Sequence, residues 1–182
     1  MEIAIKTPKT KNKIIDYQNE GKVIKSLEGE FFYPILYHYS DTIFLDKLEI
    51  TLFGPNLLDL FNFSKGFDRK TILNIFENLL HKIQYMSEKG VVHRDIKLEN
   101  IVWGMMNNSK ITNKNEMYFI DYGFGISLQE IEQKVKKGIN HWRCGTPRYM
   151  SINNHKNIKP STSDDIESLL YTVMYLANIK LP

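Results

Sequence analysis

The chain has a single cysteine, Cys144, among 182 residues. No disulfide can form within it, which fits a reducing compartment. The opening run Met1-Glu2-Ile3-Ala4-Ile5-Lys6 lacks the long apolar core of a signal peptide. These two absences lead us to expect an intracellular protein, cytoplasmic or nuclear. No stretch is suited to a bilayer: the most apolar one, Ser168 to Ile179, falls short of the roughly 20 residues a spanning helix needs. A dominant charge is also missing. The net charge is only +3 and the lysines are spread along the chain, so neither a nucleic acid nor a membrane surface is an expected partner. There is no internal repeat and no linker that would cut the chain into separate domains. The 42% hydrophobic and 25% charged residues are those of an ordinary globular protein with a real core.

What is there centres on His93-Arg94-Asp95-Ile96-Lys97-Leu98-Glu99-Asn100. This run resembles the catalytic loop of protein kinases, in which an Asp and an Asn follow His-Arg at fixed spacing. The chemistry explains the residue types. A Ser or Thr hydroxyl is a poor nucleophile, and a carboxylate such as Asp95 can orient it and accept its proton. The attacked triphosphate is strongly anionic. Lys97 can approach the transferred phosphate, and the Asn100 amide oxygen can ligate Mg²⁺.

The segments around this loop read as follows. Glu2 to Thr7 is expected to be a strand ended by Pro8, and Lys11 to Leu27 a helix with Ile14, Tyr17, Ile24 and Leu27 on a partial apolar face. Gly21 should weaken that helix by about 1 kcal/mol. Pro34 to Tyr39 and Ile43 to Ile50 read as strands split by a turn at Ser40-Asp41. Asp68 to Lys89 is a long amphipathic helix, with Asp68 as N-cap and Gly90 as its stop. Gly104 to Glu116 is a polar surface loop, and Met117 to Ile120 a buried strand that delivers Asp121-Tyr122-Gly123. Gly125 to Cys144 is polar, with Lys134, Lys136 and Lys137 clustered, and is expected to be mobile. Ser163 opens a helix that is apolar on all sides, with Asp164 or Asp165 as a cap.

Two further runs narrow the resemblance to casein kinase I. Leu52-Phe53-Gly54-Pro55-Asn56-Leu57-Leu58-Asp59-Leu60-Phe61 looks like that family's hinge and following helix. Cys144-Gly145-Thr146-Pro147-Arg148-Tyr149-Met150-Ser151-Ile152-Asn153 is similar to its Gly-Thr-x-Arg-Tyr-x-Ser-x-Asn run. The resemblance covers nearly the whole chain. It implies an α+β, two-lobed kinase-like fold, with residues 1–53 as a partial small β lobe and hinge and 54–182 as a partial, mainly helical large lobe. It also implies that ATP and Mg²⁺ are used and that proteins are the substrates. Lys6 would hold the α- and β-phosphates, Glu20 would pair with Lys6, and Ile50 would back the nucleotide pocket. Asn100 and Asp121 would hold the metal. Thr146 would bond near Asp95 and Lys97, Arg148 would meet either an anion or a surface partner, and Asp165 would receive backbone bonds from the catalytic loop.

The sequence departs from the family pattern in two places. It opens at the third strand of the family's fold, without the Gly-rich loop over the phosphates. It stops just after the apolar helix, so Leu169, Leu170, Val173, Met174 and Leu176 are expected to be partly exposed and to invite association with a partner or a second copy. Two functions are therefore carried forward: a Ser/Thr protein kinase of the casein kinase I type, and a weak or inactive kinase-like fragment that acts as a binding module.

Overall fold

The computed structural model describes residues 3–7, 11–28, 33–38, 47–104 and 116–181, with the side chains of 11–16 left out. The expected turn at Ser40-Asp41, the first part of the strand from Ile43, the end of the first strand at Pro8 and most of the 104–116 loop lie outside the described residues.

The chain opens with β1 (Ile3–Lys6), α1 (Lys11–Ser26), β2 (Leu36–His38) and β3 (Leu48–Thr51). The three strands form one antiparallel sheet in the order β1-β3-β2. Ala4 pairs with Ile50 and Lys6 with Leu48. Leu48 and Ile50 share the core with Val23 and Ile24 of α1 and with Leu27 just after it. Gly21 is buried within α1, and the helix runs through it. Glu20 before it and Val23 and Ile24 after it are buried, and their packing outweighs the propensity cost.

The rest is mainly helical. α2 (Leu57–Ser64) starts at Asn56, whose side chain accepts from the Asp59 N–H. α3 (Arg69–Glu88) starts at Asp68, which accepts from Thr71 N–H at 2.6 Å. Its apolar stripe, Ile72, Ile75, Leu79, Ile83 and Met86, is the spine of the core. The chain leaves α3 through Gly90, at φ 67°, a left-handed turn that suits glycine. β4 (Val91–Val92), β5 (Ile101–Trp103), β6 (Met117–Phe119) and β7 (Ile126–Ser127) then form two small antiparallel pairs, β4 with β7 and β5 with β6. These pairs hold the ends of the loops that carry Asp95 and Asp121. α4 (Leu128–Lys136), α5 (Ile152–His155) and α6 (Thr162–Leu176) complete the described chain. This mix of helices and small antiparallel sheets is the expected α+β fold, with few strands in its β part.

One expectation is corrected. Leu169 and Leu176 are 0% and 1% exposed, because α6 packs them against α3 and the core rather than leaving them bare. Only Leu170 of the five is exposed, and Val173 and Met174 are half-buried. The 125–144 stretch carries β7 and α4. Ser127 caps α4 by accepting from Glu130 N–H, and Ile131 and Trp142 are buried. Asn157 accepts from the Trp142 and Arg143 N–H groups, and the Asn154 side chain both accepts from Cys144 N–H and donates to Cys144 O.

Candidate active site

The loop from His93 to Asn100 leaves β4 and enters β5 through a short 3-10 turn, Leu98–Asn100. Its backbone is held from α6. The two carboxylate oxygens of Asp165 accept the N–H groups of His93 and Arg94 at 2.7 and 2.9 Å. Burial pushes the Asp165 carboxyl up to about 7, against the pull of those two N–H groups. Asp164, next to it, forms a capping box with Ser161 and accepts from Ser151 Oγ at 2.7 Å. The two acids therefore divide the work: one caps the helix and the other holds the loop.

His93 is fully buried, and desolvation holds its imidazole below the ordinary range. The neutral ring suits its neighbours. Nε2–H donates to Ile120 O at 3.2 Å and Nδ1 accepts from Asp95 N–H at 3.3 Å. His93 thus links the strand before Asp121 to the residue that precedes Lys97 and Asn100.

Asp95 is only 5% exposed, and its carboxylate is fully engaged. Oδ1 accepts from the Thr146 N–H at 2.9 Å and the Thr146 hydroxyl at 2.8 Å. Oδ2 accepts from Asn100 Nδ2 at 3.1 Å and lies 3.0 Å from Lys97 Nζ. Lys97 Nζ also donates to Thr146 Oγ1 at 3.0 Å. A hydroxyl is thus held between a carboxylate and an ammonium. Gly145 makes this approach possible. Its φ is 93°, and a Cβ there would lie 2.4 Å from Arg94 O.

Asn100 spends its amide nitrogen on Asp95, donating to the backbone oxygen at 2.9 Å and to Oδ2. No hydrogen bond is formed by its amide oxygen among the described residues. Asp121 is brought alongside, because Ile120 N–H donates to Asn100 O at 3.0 Å. The Asp121 carboxylate is exposed and has no hydrogen bond or ion pair among the described residues. Two unengaged oxygen donors suit a hard cation such as Mg²⁺. Among the described residues no cluster of three or more His, Cys, Asp or Glu side chains could hold a metal alone, so water or substrate oxygens would complete the shell.

Lys6 and Glu20 meet across the sheet and α1, with Nζ 2.6 Å from Oε1. Glu20 is 0% exposed, and burial raises its pKa more than Lys6 lowers it. Asp121 raises it further, which sets the Lys6–Glu20 pair and the Asp121 loop in one electrostatic neighbourhood. Ile50 is 3% exposed and packed in the core behind this pair. Arg148 lies over the Tyr175 ring, 5.7 Å from its centroid, and forms no ion pair among the described residues. It borders a groove of about 780 Å³ with Pro147, Met150, Tyr171, Tyr175 and Lys180. Burial pushes the Cys144 thiol up, so it is not an activated nucleophile.

Reading the sequence missed two side chains at this site. Asn19, one position before Glu20, donates through Nδ2 to Gly123 O at 2.8 Å and Gly125 O at 2.7 Å. Arg94 donates through Nε to Phe124 O at 2.6 Å. All three bonds are long-range, and no local pattern announces them. A family model for the protein kinase domain matches residues 2–182.

Proposed function

Because the chain belongs to the protein kinase domain family, a phosphotransferase acting on proteins, we propose that it transfers the γ-phosphate of ATP to Ser and Thr hydroxyls, in the manner of casein kinase I. The observation that carries this reading is the Thr146 hydroxyl. An alcohol already sits 2.8 Å from Asp95 Oδ1 and 3.0 Å from Lys97 Nζ. A substrate hydroxyl can use the same pair of partners.

In the reaction, Asp95 orients the acceptor hydroxyl and takes its proton as the oxygen attacks the γ-phosphorus. The bond from that phosphorus to the β–γ bridging oxygen breaks, and ADP leaves with the electron pair. Lys97 balances charge on the moving phosphoryl group. Lys6, steadied by Glu20, is suited to the α- and β-phosphates, and Ile50 to the rear of the nucleotide site. Asn100 and Asp121 would hold Mg²⁺, which when bound neutralises charge on the phosphates. Residues up to 53 would form the small lobe and hinge, and residues from 54 the large lobe.

The Gly-Thr-x-Arg-Tyr similarity at Gly145 to Tyr149 supports the casein kinase I assignment. The test is phosphate transfer from labelled ATP to casein by the wild-type chain and by Asp95→Asn. Transfer by the wild type that falls by about 10²–10⁴-fold in the variant is expected. Equal incorporation by both, or transfer to Tyr alone, contradicts the reading.

A further inference from the structure

We propose that Asn19 is a positioning residue: its side-chain amide clamps the turn Tyr122–Gly125 and so fixes Asp121 where it can take a divalent cation. This rests on the phosphotransfer reading above, since it assigns Asp121 to the metal.

Three successive carbonyls of that turn are taken by side chains. Gly123 O and Gly125 O accept from Asn19 Nδ2, and Phe124 O accepts from Arg94 Nε. Two facing carbonyls demand a donor, which fixes the orientation of the Asn19 amide and uses both of its N–H groups. The turn is thus gripped from α1 on one side and from the catalytic loop on the other.

Asp121 needs such a grip. It has φ 64° and ψ 65°, a left-handed conformation that costs energy in a residue with a side chain. Its carboxylate makes no bond of its own among the described residues, so the turn that follows sets its direction. That turn has a single backbone bond between its ends, Gly125 N–H to Tyr122 O at 2.8 Å.

The approach of α1 is close. A Cβ at Gly125 would lie 3.0 Å from Tyr122 O and 3.1 Å from the Val23 methyls, so a side chain there would have to push a neighbour aside. Asn19 and Glu20 are consecutive on α1. One helical turn therefore holds both Lys6, through Glu20, and the Asp121 loop, through Asn19. A shift of α1 would loosen both grips together.

The test uses the full chain with Asn19→Ala, which deletes the clamp, and Asn19→Asp, which keeps the shape but sets a carboxylate against two carbonyls. Amide exchange is read first, without nucleotide. Exchange of the Gly125 N–H should rise about tenfold or more in both variants while the α3 amides stay protected, which shows that the fold is intact. The Mg²⁺ concentration that half-saturates ATP binding should then rise about tenfold, with ATP binding in EDTA unchanged. Unchanged Gly125 exchange overturns the clamp. Faster exchange with an unchanged Mg²⁺ requirement overturns its link to the metal. A wild-type chain that binds no ATP with or without Mg²⁺ instead defeats the phosphotransfer reading and the metal link with it, and the exchange result still decides the clamp.

Discussion

The catalytic loop and the junction between α1 and the turn after Asp121 satisfy their polar atoms differently. From His93 to Asn100, no fully buried side-chain nitrogen or oxygen lacks a partner among the described residues, and the unengaged amide oxygen of Asn100 is not one of the fully buried atoms. At the junction, Glu20 Oε2 and Tyr122 Oη are buried with none among the described residues. The loop is pinned through backbone atoms by a buried carboxylate and a glycine. The junction rests on side chains reaching from a helix. An unpaired buried polar group costs about 1–3 kcal/mol, so the loop is the rigid half of the site and the junction the half that is easier to move. On the reading proposed above, Asp95, Lys97 and the metal donor Asn100 lie on the fixed side, and Lys6 and the second metal donor Asp121 on the adjustable side.

The largest effect that would break this contrast is Gly145→Ala. Its new Cβ would lie 2.4 Å from Arg94 O and 3.3 Å from Asp95 Oδ1, at a φ of 93°. A loss of about 2–4 kcal/mol in urea unfolding is expected, together with loss of transfer. A neutral result would mean that the loop is not pinned there.

Asp165→Asn tests the other pin through pH. The folded Asp165 carboxyl lies at about 7, above its ordinary 3.8. Between those values the folded chain keeps a proton that the unfolded chain has released, so stability falls as pH rises. One such proton gives a slope of at most about 1.4 kcal/mol per pH unit. The stability difference between wild type and variant should therefore shrink from pH 5 to pH 8. A difference that is flat or grows would count against a high-lying Asp165.

Tyr122→Phe probes the junction and has the smallest effect. The ring, tilted against His93 with centroids 4.7 Å apart, remains, and only an unpartnered hydroxyl is lost. Stability should stay level or rise by up to about 1 kcal/mol in thermal unfolding. A clear loss would show that the hydroxyl is engaged.

The same contrast separates what the sequence disclosed from what it hid. Asp95, Lys97 and Asn100 are legible because one loop carries them at a spacing its chemistry demands. The Lys6–Glu20 ion pair and the Asp165 bonds to His93 and Arg94 were expected from family resemblance, and both contacts are present. Asn19 was invisible, because its partners Gly123 and Gly125 are far along the chain and any helix can carry a polar residue at that position. The burial of Leu169 and Leu176 was misjudged for a related reason. A helix that is apolar all round does not reveal which face its own core will cover. Asn154 and Asn157, which fasten residues 140–144, look in the sequence like ordinary loop asparagines.

The central claim is that Lys6, Asp95, Asn100 and Asp121 serve one nucleotide and metal site. The most direct check is the melting-temperature shift on adding ATP with Mg²⁺, measured for the wild type, Lys6→Met and Asp121→Asn. A ligand that binds only the folded state must raise the wild-type value. The account predicts that rise, its near loss in both variants, and a smaller wild-type shift when Mg²⁺ is chelated. No shift in the wild type, or the same shift in all three proteins, would contradict it.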